Sequence, residues 1–367
     1  MIIIQLNMLF DIVNRTIGYS RNYSGFLYGS PGGTVQRLLF QEPGDRSNTM
    51  PAHHNPVPAG RNRWLFGALL LIAALSCHAS TGTGGFNLTQ VAPGVYVHHG
   101  KMVSVEDAGR DDVANIGFIV GKDCVAVIDT GGSVRIGEQL RQAIHRTTTV
   151  PVCYVINTHI HYDHVLGNAA FAGDGVEFIG HEQLAPAIEA NREFFLKNFR
   201  QELGQDASAA SIIGPGRLVH DTLELDLGNR KLLLAAHRPA HTNNDLTVYD
   251  ETTRTLWLSD LLFMQRIPAL DGSLKGWLAV LQNLMAMPAD RAIPGHGPVS
   301  APWPQAAGDE VRYLETLRDQ IRAKLKQGLF LEEIIDEVGS KEKTRWLLYE
   351  HQHKRNVSRA FTELEWE

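Results

Sequence analysis

The 367-residue chain is 44% hydrophobic and 20% charged, a globular balance with ample apolar material for a core. Its formal net charge of −6 argues against a nucleic-acid partner, which needs a clustered basic surface. Cys77, Cys124 and Cys153 are too few and too scattered for a disulfide framework or a Cys-rich zinc site, whereas several of the sixteen histidines sit in short charged or Gly-flanked segments.

Residues 1–60 show no sustained period and read as a disordered or wrongly included upstream segment, with Met50 a plausible start. Residues 61–79 read as a secretory signal. Arg61 and Arg63 make a positive start, Trp64 to Leu75 is an apolar run, and small residues follow to a cleavage site after Ala79. The run is short of the roughly 20 residues that a spanning helix needs. A lipoprotein anchor at Cys77 competes, but Ala74 stands where such a motif prefers Leu. The expected location is the periplasm. In that oxidising compartment a Cys124–Cys153 bond requires neighbouring strands, and buried free thiols are the favoured state.

From residue 86 onward, short β-rich runs and Gly-centred turns alternate. Strands are expected at Val95–Val97, Ile116–Val120 and Cys124–Ile128, the last apolar on both faces and ending in Asp129-Thr130-Gly131. Val134, Ile136, Leu140 and Ile144 predict a helix. Val152 to Ile156 is a buried strand, Phe178-Ile179 another, and a helix starts near Glu182. Residues 198–217 read as a mobile loop. Strands return at Leu223–Leu225, Lys231–Ala235, Leu246–Tyr249 and Thr255–Leu258, followed by a helix over Trp277–Met287. The tail, residues 304–367, predicts three helices: one through Val311 to Leu325, one through Leu331 to Val338, and one through Val357, Phe361 and Leu364. The sum is two β-rich halves with helices outside, then a helical appendix.

The chemistry concentrates where the strand ending at Ile156 runs into Thr158-His159-Ile160-His161-Tyr162-Asp163-His164. Alternate residues on a loop after a strand can converge on one point, and imidazole and carboxylate are both good zinc ligands. Four such residues within six positions make a chance polar loop a poor reading. The cluster alone cannot fill two metal sites. His241 in Pro239-Ala240-His241-Thr242, Asp260 at the end of a strand, and His296 at the tip of a tight Pro-Gly-His-Gly turn are the further candidates.

The run His-x-His-x-Asp-His, followed in order by His241, Asp260 and His296, resembles the metallo-β-lactamase superfamily over about residues 86–303. The resemblance implies an α/β fold, an αββα sandwich, with two metal ions at one edge between the sheets. It implies that His159, His161 and His241 hold the first ion, that Asp163, His164 and His296 hold the second, and that Asp260 bridges them. Class B β-lactamases generally carry Cys or Ser near the bridging position. The Asp here is similar to glyoxalase II and related thioesterases, which points to an ester, thioester or related acyl substrate. Val105 through Ile119, Val155 through His159, and the ending Asn356-Val357 through Trp366-Glu367 also resemble the quinoprotein relay system zinc metallohydrolases. That likeness implies a tie to a periplasmic quinoprotein dehydrogenase system.

The expected cofactors are two zinc ions, with iron or manganese as alternatives on the same donors. A water shared by two such ions falls in pKa from about 15.7 to roughly 7, giving a bridging hydroxide that attacks a carbonyl. Asp163 and Asp260 are the candidate catalytic carboxylates. A β-lactamase or lactonase on the same scaffold and a non-catalytic metal-binding accessory protein are the rival readings. Asp129 is either a support for a ligand imidazole or a turn residue. Tyr162 either faces substrate or packs, His181 is expected to be structural, and Asn168 is expected to cap or turn the chain.

Overall fold

A computed structural model describes residues 86–173, 175–204 and 206–367. The segments at 1–60 and 61–79, Cys77 included, lie outside the described residues. The described residues all belong to the compact unit His78–Glu367. Among them, no helix is long and apolar enough to cross a membrane.

The first sheet has seven strands in sequential order: β1 (Leu88–Ala92), β2 (Val95–His98), β3 (Ile116–Val120), β4 (Val125–Ile128), β5 (Val152–Asn157), β6 (Glu177–His181) and β7 (Arg217–Val219). The second has six: β8 (Thr222–Asp226), β9 (Lys231–Ala236), β10 (Leu246–Asp250), β11 (Thr255–Phe263), β12 (Arg291–His296) and β13 (Ala301–Pro302), ordered β13-β12-β11-β10-β9-β8. Period-two alternation sends successive side chains to opposite faces. Ile119, Ala126, Ile128, Ile156 and Ile179 therefore meet Leu232, Leu234, Val248, Trp257 and Ile293 in a core between the sheets.

The outer faces carry the helices. Helix α1 (Val134–Thr147) starts where Ser133 Oγ accepts the Ile136 amide at 3.1 Å. It lays Ile136, Leu140 and Ile144 on Phe118, Val125 and Val127. The short α2 (Tyr162–Val165) follows β5 directly. Next come α3 (Leu184–Asn198) and α4 (Arg200–Leu203). The expected mobile loop at 198–217 is thus partly helical, and Phe199, Leu203 and Ile212 anchor it by burial against Ile188 and Phe195.

The opposite face is covered by α5 (Leu274–Met285), α6 (Gly308–Leu325), α7 (Leu331–Ile334) and α8 (Tyr349–Leu364). Trp277, Leu314, Leu317, Val357 and Phe361 share one apolar cluster with Leu256 and Leu258 of β11. The tail is therefore the outer layer of the second sheet rather than an appendix. The architecture is the expected αββα sandwich with a C-terminal helical region.

Two further expectations change. Strands β4 and β5 are parallel neighbours, with Val125 opposite Val152. This brings the Cα atoms of Cys124 and Cys153 to 5.6 Å, and the two are disulfide-bonded rather than free thiols. His296 is the last residue of β12, not the tip of a tight turn, and Gly297 bends the chain after it at φ +115°.

Candidate metal centre

Each cluster residue sits where a strand stops or kinks. β5 ends at Asn157 and delivers Thr158, His159 and His161, while α2 carries Asp163 and His164. His241 lies on the loop between β9 and β10, and His296 closes β12. Asp260 lies within β11, whose pairing with β12 shifts register on both sides of Ser259. Such a bulge re-aims side chains, and Ser259 takes a left-handed φ of +48° there.

Seven side chains from these segments converge in two adjoining groups: His159, His161, His241 and Asp260 in one, Asp163, His164 and His296 in the other. His161 Nδ1 lies 3.1 Å from His159 Nε2 and 3.0 Å from His241 Nε2. Asp163 Oδ2 lies 3.6 Å from His164 Nε2 and 3.5 Å from His296 Nε2. Asp260 faces both groups. Its Oδ2 is 3.4 Å from His241 Nε2, 3.7 Å from His159 Nε2 and 3.4 Å from His296 Nε2, and its Oδ1 is 3.2 Å from His164 Nε2.

The donor set fits metal ions. His164 Nε2 and Asp260 Oδ1 are buried with no hydrogen-bond partner among the described residues. Leaving such groups unpaired costs free energy that coordination would recover. Burial, reinforced by neighbouring imidazoles, holds His159 well below its ordinary pKa. Burial likewise takes His241 down to about 4, so both rings are neutral, as a ligand must be. Burial would lower His164 too, but Asp260, Asp163 and Asp129 outweigh it and push that imidazole well up. The carboxylates thus ask for positive charge at the place where metal cations would supply it.

A model of the metallo-beta-lactamase superfamily matches residues 109–296, just over half of the chain and all seven cluster residues. The chain belongs to the metallo-β-lactamase superfamily. Members of that superfamily are generally metal-dependent hydrolases. The alpha subunit of 2,4-dinitroanisole O-demethylase from Nocardioides sp. (strain JS1661) is 25% identical over 234 residues, which cover 61% of this chain and 65% of that relative. The match thus spans just under two thirds of the relative's length. Among solved structures, a metallo-beta-lactamase from Pontibacter korlensis is 21% identical, with a TM-score of 0.51, over 62% of this chain and 98% of that one. The stereoselective inverting sec-alkylsulfatase from Pseudomonas sp. is 17% identical, with a TM-score of 0.60, over 76% of this chain and 50% of that one. At those identities the likeness is one of fold.

The superfamily site is supported by a second layer of groups, each occupying the ring nitrogen that faces away from the cluster. His164 Nδ1 donates to Asp129 Oδ2 at 2.8 Å, His241 Nδ1 to the Ala269 carbonyl at 2.6 Å, and His296 Nδ1 to the Val113 carbonyl at 2.8 Å. His161 Nε2 donates to Asp271 Oδ2 at 2.9 Å, and His159 Nδ1 meets Thr158 Oγ1 at 3.0 Å. These bonds fix each tautomer, leaving Nε2 of four rings and Nδ1 of His161 toward the centre. Asp129 is both the imidazole support and the turn residue, with φ +56°. Thr158 and Ser259 tie its carboxylate into one buried network. Left-handed non-Gly residues cost on the order of 1–3 kcal/mol each and persist where surroundings over-determine them. Asp129 and Ser259 meet that condition.

The other expectations sort by contact. Tyr162 stacks on Phe199 at 4.5 Å and donates to the Arg110 carbonyl, so it packs. His181 Nε2 binds the His237 carbonyl at 3.1 Å, as expected of a structural residue. Asn168 does not cap a helix: its side chain joins Asn157, Thr130 and the Ile213 carbonyl beneath the metal loop. Asp271 and Ala269 escaped the sequence reading. An Asp eleven residues past Asp260 and a backbone carbonyl carry no spacing signal.

Proposed function

We propose that the chain is a dinuclear zinc hydrolase of an ester, thioester or related acyl bond. The observation that carries this is Asp260, one carboxylate lying 3.2–3.7 Å from imidazole nitrogens of both groups. His159, His161 and His241 would hold one ion, Asp163, His164 and His296 the other, with Asp260 shared. Iron or manganese suits the same donors. Bound there, the metals supply a water that ionises near neutral pH and a Lewis acid for the acyl oxygen.

The chain's own residues do the rest. Burial opposes ionisation of Asp260, but His296 and His164 outweigh it and hold the group as a carboxylate. Its buried Oδ1, without a hydrogen-bond partner among the described residues, would take part in holding an ion.

An Asp at position 260, rather than Cys or Ser, supports acyl ester chemistry over lactam cleavage. The Cys124–Cys153 disulfide supports an exported protein, while the tie to a quinoprotein dehydrogenase system rests on the sequence resemblance. Cell fractionation tests the location. For the chemistry, the zinc-loaded protein is assayed on thioesters, esters, lactones and lactams. The names of the relatives add an aryl methyl ether and a secondary alkyl sulfate. Turnover of thioester or ester, lost on chelation and absent in His161→Ala, is the expected result. Cleavage confined to lactam, ether or sulfate would overturn the acyl assignment.

A further inference from the structure

Beyond β11 the chain runs through Arg266 to the Ala269–Asp271 turn that supports His241 and His161. Arg266 Nη1 lies 3.4 Å from His296 Nδ1. That nitrogen already donates to the Val113 carbonyl, so it has no lone pair for a guanidinium. Asp163 and Asp260, on the far side of the His296 ring, are engaged with the cluster imidazoles. On the other flank, Asp107 accepts the Ser104 amide at 2.8 Å. Among the described residues, Arg266 has no carboxylate at ion-pair distance. A half-buried guanidinium left without a counter-ion is costly.

Arg266 lines a cavity of about 70 Å³ with Ser104, Val105, Leu348, His351 and Gln352 among its walls. The cavity has room for a group the size of a carboxylate beside the guanidinium. Val105 and Leu348 make its sides apolar. The backbone on both sides is tied down: the Leu347 amide donates to the Gln265 carbonyl at 2.7 Å and the Ile267 amide to the Leu347 carbonyl at 3.1 Å. A second basic cleft, between α5 and α6, differs in one respect. There Lys275 and Arg322 are paired with Glu367, and Arg318 with Asp319, so that cleft already holds its anions.

We propose that Arg266 binds an anionic group of the substrate, so that the bond cleaved belongs to an acyl compound ending in a carboxylate, such as a half-ester or half-thioester of a dicarboxylic acid. The guanidinium is one imidazole away from the metal centre. A carboxylate seated on it would lie between Val105 and Leu348, on the Nδ1 side of the His296 ring. Planar guanidinium matches planar carboxylate with two parallel N–H···O bonds. The inference rests on the acyl hydrolase reading and names its substrate class.

The test uses the zinc-loaded full chain. Mono-4-nitrophenyl glutarate is compared with 4-nitrophenyl valerate, which has a similar chain length and no charge. The corresponding anilides are titrated calorimetrically as binding probes, with acetate as competitor. The wild type is expected to favour the anionic ester at least tenfold in kcat/KM and to bind the anionic anilide at least tenfold more tightly. Arg266→Gln should lose both preferences at unchanged metal content, and Arg266→Lys should keep part of them. Equal treatment of the two probes by the wild type, or a preference that survives Arg266→Gln, overturns the subsite. Competition by acetate against the anionic anilide alone supports it; acetate binding with no preference for the charged anilide points to a free-anion site and overturns it. Anilide discrimination without ester turnover upholds the subsite while the acyl hydrolase reading fails.

Discussion

Asp271 accepts a hydrogen bond from His161 Nε2 at 2.9 Å, and its other oxygen takes Arg355 Nη2 at 2.7 Å. Burial would raise the Asp271 carboxyl, but His161 and Arg355 hold it far below the usual carboxylate range. The last helix thereby reaches a candidate metal ligand through one residue. Asn356, one position on, accepts the Leu270 amide and donates to the Pro268 carbonyl, and Glu363 caps α5 through Ser273 and Leu274. The helical tail thus clamps the turn that orients both His161 and His241.

Asp271→Asn should keep the shape of that contact and lose its charge. Removing such a support typically costs 10–100-fold in metal affinity. Equilibrium dialysis against zinc should show a loss in that range, with a smaller loss for Arg355→Met and partial recovery for Arg355→Lys. Unchanged affinity in Asp271→Asn would remove the clamp from the account.

Gly295→Ala probes the packing behind the bridging position. A Cβ at residue 295 would collide with Asp260 Oδ1 and crowd the Ser259 backbone. The substitution should displace Asp260, reduce zinc bound at saturation and abolish turnover, while circular dichroism remains that of a folded protein. Retention of full metal binding would show that Asp260 is not held where the structure has it.

The legibility of this molecule follows from range. All seven cluster residues are imidazoles or carboxylates, and the four within 159–164 were carried by sequence spacing. His241, Asp260 and His296 needed the order of their segments as well. The strands with strong alternation or full burial, β3 to β5 and β8 to β11, were legible. The short edge strands β1, β7 and β13 were not, because few residues with one partner strand leave little pattern, and neither was the buried β12, whose Pro294-Gly295 reads as a turn. Asp271, Ala269 and Arg355 act through contacts spanning 28 to 110 positions, which local pattern does not encode. The disulfide was missed because sequence alone does not order strands: Cys124 and Cys153 meet only because β4 and β5 are adjacent.

Cross-linking the residues 29 apart constrains the unfolded chain, and a loop of this size corresponds to about 3.6 kcal/mol. The Cys124→Ser, Cys153→Ser double variant should lose stability of that order in urea unfolding, with zinc stoichiometry unchanged because neither residue touches the cluster. An unfolding midpoint equal to that of the wild type would contradict a stabilising Cys124–Cys153 bond in solution.

Glu310, on α6, accepts the Phe263 amide at 2.9 Å with one oxygen, while the other has no partner among the described residues. Burial raises its carboxyl well above the ordinary range, and the Phe263 amide only partly opposes this. In the unfolded chain the group ionises near its ordinary value, so above that pH the unfolded state sheds a proton that the folded state keeps. Stability from this site is therefore complete at low pH and declines as pH rises toward the folded-state value. Glu310→Gln keeps an acceptor for Phe263 and removes the titration. Its Tm should exceed that of the wild type by a margin that widens from pH 5.5 to 8.5. A margin constant with pH would mean that Glu310 is ionised in the folded protein.

Asp260 as the shared carboxylate is the centre of the account, and metal counting tests it most directly. Purified protein saturated with zinc, desalted and measured by inductively coupled plasma mass spectrometry should hold two zinc ions per chain, and Asp260→Ala should hold fewer than two. One ion or none in the wild type, or two retained in Asp260→Ala, would contradict the dinuclear site.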